Sequence, residues 1–288
     1  MKLHSIANQL TICLLLLCTV SACNDEPKAS IPKNEPYPVT NFNTVSLQTT
    51  TVDDGPAVTT THTYSYQAGR LQAYDLLQTV GHSTPVEISS HSQVSYTDNQ
   101  AIVSDDYGNT STYTLNSRGY ATECLRQEAG SNSIRHYTFG YMAGSDDKYY
   151  LTSVCETIDD STTPFSQLTL SYDSEHSINL RLDMQGQTYC YQASADADNL
   201  LPNTSELPAL FLSNLHPLSL HHEAIYGKWL GDAWPYLVQH LSPIDNEEST
   251  ERTNYTYQLD TNGIVTGCVV QTTSYGQSYR QSYTYSLD

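Results

Sequence analysis

Tyr113-Thr114-Leu115-Asn116-Ser117-Arg118-Gly119-Tyr120 aligns without a gap to Tyr257-Gln258-Leu259-Asp260-Thr261-Asn262-Gly263-Ile264. This repeat leaves the chain little choice of fold. Tyr and Leu two residues apart lie on one face of a strand. The Asn or Asp that follows bonds its own backbone and starts a turn. Gly then takes the positive φ that a short hairpin loop needs. Tyr285-Ser286-Leu287-Asp288 reads as a third copy cut at the turn, with the last strand complete. His62-Thr63-Tyr64-Ser65-Tyr66 also alternates, turns at Gln67-Ala68-Gly69 and resumes at Arg70-Leu71.

Further strands are expected near 42–52, 86–97, 100–105, 133–141, 165–173, 177–184 and 187–193, about fifteen in all, with short turn-like connections. The fold class is therefore mainly β. The expected architecture is a large curved antiparallel meander, a half-barrel or barrel-like sheet of Tyr-rich hairpins, forming a single domain over 40–288. The 23 Tyr against 4 Phe and 2 Trp suit half-buried strand faces, where the ring packs and the hydroxyl stays wet.

Alternation stops between about 199 and 241. Leu207-Pro208-Ala209-Leu210-Phe211-Leu212 and Glu223-Ala224-Ile225-Tyr226-Gly227-Lys228-Trp229-Leu230-Gly231 are clustered apolar segments, and both Trp residues, Trp229 and Trp234, fall here. They read as a helical and loop insertion that plugs or caps the sheet. A hydrophobic plug is favoured over a ligand cleft.

The first 22 residues form one unit. Lys2 precedes an apolar run from Leu10 to Val20, of signal-peptide length and too short to span a bilayer. The run ends in Val20-Ser21-Ala22-Cys23, which resembles the lipobox of bacterial lipoproteins and assigns lipidation to Cys23. Asp25 and Glu26 resemble the acidic export patch of surface lipoproteins in the Bacteroides group. Residues 23–39 carry Pro27, Pro32, Pro36 and Pro38 and form a tether. Over residues 24–38, at ~3.1 Å per residue, it reaches roughly 45 Å. The expected location is the cell envelope, as an outer-membrane lipoprotein facing either the surface or the periplasm.

The net charge is -19. Losing Lys2 with residues 1–22 leaves 11 basic against 31 acidic residues, or -20. Such a chain is repelled by phosphate backbones, so no nucleic-acid partner is expected. The membrane partner is reached through the anchor at Cys23.

Of the 7 cysteines, Cys13 and Cys18 leave with the signal peptide and Cys23 is lipidated. The even remainder, Cys124, Cys155, Cys190 and Cys268, invites a disulfide reading in an oxidising compartment. The repeat argues otherwise for three of them. Cys124, Cys155 and Cys268 each stand four residues after Tyr120, Leu151 or Ile264, and read as small core residues of successive outgoing strands. Two strand spacings of about 4.8 Å separate Cys124 from Cys155, too far for a disulfide. Cys190 falls outside the pattern.

Chemical motifs are sparse. No nucleophile elbow, metalloprotease helix, phosphate loop or paired-cysteine metal site is present. His221-His222-Glu223 reads as a solvated helix start. Asp196-Ala197-Asp198-Asn199 hints at calcium but lacks the Gly and Glu of an EF-hand loop. Asp53-Asp54-Gly55 and Asp105-Asp106-Tyr107-Gly108 read as turns, and Asp160-Ser161-Thr162 resembles an O-glycosylation acceptor of the Bacteroides group. No catalytic residue, metal site or cofactor is assigned, and the ligand-binding residues stay unknown.

The lipobox, the acidic tether, the Tyr-rich hairpins and the Leu/Pro/Gly/Trp insertion together resemble an uncharacterised lipoprotein family of the Bacteroides group. That family is described as a domain of unknown function with a porin-like fold. The resemblance spans roughly 40–288. It implies a large curved antiparallel sheet and carries over no catalytic residue. A lipid-spanning pore is not implied. In Gln277-Ser278-Tyr279-Arg280-Gln281-Ser282-Tyr283-Thr284-Tyr285, one face holds Ser, Arg and Thr and the other mixes Tyr with Gln, so neither suits hydrocarbon. The functional expectation is a non-enzymatic binding module for a glycan, peptide or envelope protein partner. The alternatives are a structural or accessory subunit of an outer-membrane assembly and a carboxylate-based hydrolase.

Overall fold

The computed structural model describes residues 42–51, 58–81, 85–173, 176–244 and 251–288. The signal peptide, Cys23, the tether and Asp53-Asp54-Gly55 lie outside the described residues.

The strands are β1 (Thr44–Thr51), β2 (Val58–Gln67), β3 (Arg70–Val80), β4 (Val86–Tyr96), β5 (Gln100–Asp105) and β6 (Thr110–Leu115). Next come β7 (Ala121–Gln127), β8 (Ile134–Ala143), β9 (Tyr149–Ile158), β10 (Ser166–Tyr172), β11 (Ser177–Met184) and β12 (Gln187–Ser194). After the insertion follow β13 (His240–Pro243), β14 (Arg252–Leu259), β15 (Val265–Ser274) and β16 (Gln277–Leu287). Each pairs antiparallel with its sequence neighbours, and β1 pairs with β16, as in Val45↔Leu287 and Leu47↔Tyr285. The sheet is therefore a closed barrel of sixteen strands rather than a half-barrel or an open meander. The added strand is β13, which the insertion had seemed to include. Closure depends on a pairing between the two ends of the sequence, which no local pattern encodes.

Alternation puts the apolar side chains inside. Along β10, Ser166, Leu168 and Leu170 are buried while Gln167, Thr169 and Ser171 face out. Outward Leu77 is flanked on neighbouring strands by Thr61 and Ser89, and outward Leu125 by Thr112 and His136. A lipid-facing barrel needs the reverse, a continuous apolar band on its outside.

The repeat hairpins form as their chemistry dictates. Asn116 Oδ1 accepts from the backbone N–H of Arg118 and Tyr120, at 2.9 and 3.0 Å. Asp260 Oδ1 accepts from Asn262 and Ile264, both at 2.8 Å. Gly119 and Gly263 follow at φ +82° and +79°. Beyond each turn the outgoing strand carries one unpaired residue, Thr122 in β7 and Thr266 in β15. Such a bulge shifts the facing of everything after it. Cys124 and Cys268 consequently point inward and are buried, and burial pushes both thiols up to about 12.

The expectation for Cys155 is corrected. The bulge in β9 falls at Thr152, so Val154 takes the inward slot and Cys155 faces out, half-buried. All four described cysteines are free.

A sixteen-stranded lumen is too wide for wall side chains to fill. Here the chain between Ser194 and His240 fills it. This segment leaves and returns at the rim shared by every even-to-odd connection, including the turns at Asn116 and Asp260. It carries short 3-10 turns at Leu210–Asn214 and Leu218–Leu220, and one helical turn, α1 (His222–Tyr226). The odd-to-even connections form the opposite rim, called the mouth below, and the insertion reaches toward it at His216, whose ring lies 6.2 Å from Phe165.

Candidate functional site

The insertion is held by aromatic stacking and by rim hydrogen bonds. Tyr226 lies flat on Tyr64, with ring centroids 3.8 Å apart, and Trp229 packs on Tyr113 at 5.1 Å. Tyr66 donates to the Tyr226 carbonyl at 3.0 Å, and Tyr141 to that of Trp229 at 3.1 Å. The returning chain pairs with the rim through Asp232, whose carboxylate accepts from the Tyr149 N–H at 2.7 Å and the Tyr120 hydroxyl at 2.8 Å.

Gly231 precedes this contact at φ +91°, and a Cβ there would stand 2.7 Å from the Tyr149 carbonyl oxygen. Gly231→Ala is expected to lower the urea midpoint by an amount worth about 2 kcal/mol, with the slope of the transition unchanged. An unaltered midpoint would show that this rim contact carries no stability.

His221-His222-Glu223 is not a solvated helix start. His221 has no exposed surface. Its Nδ1 is hydrogen-bonded to the Tyr113 hydroxyl at 2.8 Å, and its ring meets Tyr137 edge-on at 4.4 Å. Burial drops its pKa to about 3, so the ring is neutral. His222 packs against both His62 and Tyr74, with ring centroids at 5.5 and 5.9 Å, and burial lowers it to about 4. The correction has a simple cause: α1 sits inside the barrel, so residues that look polar and exposed in sequence face a wall of Tyr.

Beside the insertion lies an ionic layer that sequence reading missed. Glu156 is fully buried and points inward from β9. Its carboxylate accepts from Arg135 at 2.6 Å, Tyr137 at 3.1 Å and Ser166 at 2.7 Å, and is hydrogen-bonded to His216 Nε2 at 2.7 Å. Burial alone would raise its pKa. The bonds from His216, Ser166 and Arg135 outweigh burial and hold it at about 2. The available signal was a charged residue two positions beyond an inward Val154.

On the other side of the lumen, toward the mouth, the insertion leaves a cavity of about 290 Å³. Tyr191, Tyr255, Tyr283, Gln281, Thr253 and Asn214 are among its walls. At ~30 Å³ per liquid water this is the space of about ten waters, enough for a sugar ring. Three Tyr hydroxyls on the inner face each donate to a Gln two residues earlier: Tyr189 to Gln187, Tyr279 to Gln277 at 2.6 Å, and Tyr283 to Gln281 at 3.1 Å. Each pair fixes a ring and leaves the Gln amide N–H groups to donate elsewhere. A second cavity, by Phe42, Tyr66, Leu207 and Trp234 at the plugged rim, holds about 70 Å³ and is mostly apolar.

The remaining motifs have structural roles. Asp105 Oδ1 accepts from Tyr107 and Asn109 in the β5–β6 turn, as expected. Asp196 closes a turn onto the Asp198 N–H at 3.0 Å. Ser161 and Thr162 are exposed in the β9–β10 connection. No group of three or more His, Cys, Asp or Glu placed to hold a metal occurs among the described residues.

A closed antiparallel barrel whose lumen is largely occupied by a segment of its own chain defines a porin-like domain with an internal plug. The chain belongs to the family described as a domain of unknown function (DUF4595) with porin-like fold, which matches residues 64–267. It is 38% identical to a porin-like protein from Bacteroides uniformis ATCC 8492, over 88% of this chain and 98% of that one, with a TM-score of 0.79. A porin-like protein from Bacteroides vulgatus ATCC 8482 shares the fold at a TM-score of 0.52 and 10% identity, over 84% of this chain and 97% of that one. No curated protein matches.

Proposed function

We propose that this is an envelope lipoprotein, anchored through Cys23, whose barrel is a non-enzymatic binding module that takes a glycan at the mouth. The observation that carries this reading is the 290 Å³ cavity with the Tyr283–Gln281 pair in its wall, and the Tyr279–Gln277 pair further along the same inward face of β16. Tyr ring faces stack on the apolar faces of sugars, and side-chain amides bond their hydroxyls. Tyr275 supports it. This residue is 93% exposed at the tip of the β15–β16 hairpin, at φ +48°, where Asn or Gly would be unstrained. An aromatic ring held in solvent at a strained position is explained by recognition better than by packing.

The envelope reading draws on the Val20-Ser21-Ala22-Cys23 motif and on the Bacteroides origin of the similar structures. The N-terminal end of β1 lies at the plugged rim, so the mouth is the rim farther from it.

The test is retention on a panel of immobilised polysaccharides, wild type beside Tyr279→Ala. Tyr279 is 47% exposed, so the substitution spares the core. Wild-type retention, with about tenfold weaker binding by the variant, is expected. No retention on any polysaccharide would overturn the glycan reading. A peptide or an envelope protein would then be the occupant to seek.

A further inference from the structure

The chain has only 12 basic residues against 31 acidic ones. Two of the twelve, Arg126 on β7 and Arg135 on β8, are direct cross-strand partners. Both lie on the inward face, two residues beyond Cys124 and two before Tyr137. Like charges directly opposite in an antiparallel pair destabilise a sheet. In a chain this short of cations, the arrangement calls for an anion.

The anions present answer it incompletely. Arg135 gives Nη1 to Glu156 at 2.6 Å, and Arg126 gives Nη1 to Ser111 at 3.2 Å. The two Nε atoms converge on one oxygen, Glu128 Oε1, at 3.8 and 4.0 Å. Those distances exceed a hydrogen bond. Arg126 Nε is buried and has no hydrogen-bond partner. The Glu128 side chain is 45% exposed, outside the layer it would neutralise. Phe165 lies 5.6 Å from the Arg135 guanidinium and gives the site an apolar flank. The β7–β8 and β9–β10 connections, which follow Gln127 and Ile158, place this layer at the mouth.

We propose that Arg126 and Arg135 form an oxyanion subsite for a carboxylate or sulfate group, with Glu128 as the internal group such a ligand displaces. This deepens the glycan reading by placing a second contact across the lumen from the Tyr-lined cavity: the sugar identity rests on that reading, while the affinity of the arginine pair for an oxyanion does not. The implied ligand is an acidic glycan, carrying a uronic acid or a sulfate ester. Planar forked donors suit both groups.

The test follows the arginine Nε–H resonances of the folded domain by NMR. Sodium sulfate, sodium glucuronate and sodium chloride are titrated separately, into wild type, Arg126→Gln and Glu128→Gln. Sulfate or glucuronate is expected to move two Nε–H signals in a saturable way, while chloride is not. Arg126→Gln is expected to weaken that binding about tenfold. Glu128→Gln is expected to tighten it about fivefold by removing the competing carboxylate. Whichever salt saturates distinguishes sulfate from carboxylate as the preferred group. Sulfate stabilises proteins non-specifically, so thermal shifts are not the readout. Wild-type resonances that respond alike to all three salts would overturn the subsite, as would unchanged affinity in Glu128→Gln, a variant that keeps both arginines. Oxyanion binding without polysaccharide retention would leave the subsite standing and remove only the glycan.

Discussion

Glu156→Ala is expected to destabilise the barrel by about 3–5 kcal/mol, the usual result of removing one partner from a buried ion pair. The change strands Arg135 and removes the shared acceptor of Tyr137, Ser166 and His216. Glu156→Gln keeps the shape but not the charge, and is expected to fall between wild type and Ala. The same carboxylate gives an acid signature. Its folded pKa of about 2 lies below its ordinary 4.5, so unfolding takes up a proton. The stabilisation is complete above about pH 4.5 and fades as the pH falls toward 2. Across that window wild type should lose about 2–3 kcal/mol that Glu156→Gln does not. Denaturant midpoints for both proteins at several pH values measure the difference. Parallel curves would show that Glu156 is not held ionised by its neighbours.

Cys23→Ala is expected to move nearly all of the protein from the membrane pellet to the soluble envelope fraction. The argument is about chain length in hydrocarbon. Each buried methylene contributes about 0.8 kcal/mol, and one acyl chain alone binds a membrane only marginally. A lipoprotein cysteine carries several chains, so losing the thiol removes the whole anchor at once. Without it the outward face described above, with Gln167, Thr169 and Ser171 along β10 and Leu77 and Leu125 standing singly among polar neighbours, offers no substitute. A Cys23→Ala protein that still pellets would refute the anchor. Protease treatment of intact cells expressing wild type addresses the side. Digestion is expected if Asp25 and Glu26 act as an export patch, and protection would place the barrel in the periplasm.

Much of the wall was legible in the sequence because hairpin chemistry is local. The Asx turns at Asn116 and Asp260, the glycines after them and the inward Tyr113 and Tyr257 are each determined within eight residues. The misreading of Cys155 shows the limit of that locality. One bulge residue, Thr152, reverses the facing of the strand beyond it, and threonine looks the same in a bulge as in a ladder. Closure was illegible for a different reason. Val45 and Leu287 meet across nearly the whole chain, and edge strands carry no written address for one another. The candidate site was harder still. Arg126, Arg135, Glu128 and Glu156 sit on three strands and in one loop, and no motif spacing joins them. His221 looked solvated because burial of a polar residue depends on what surrounds the whole insertion.

The pairing of β1 with both β2 and β16 has a mechanical consequence. If the protein is anchored as proposed, a pull entering at the N-terminal end of β1 runs along that strand. β1 is held by seven register pairs on one side and eight on the other. Pulled along its axis, it loads these bonds together in shear, whereas a strand peeled from its end breaks them one after another. Resistance to force is then governed by the height of the unfolding barrier rather than by equilibrium stability. The seam that closes the barrel is thereby the part best placed to bear a load.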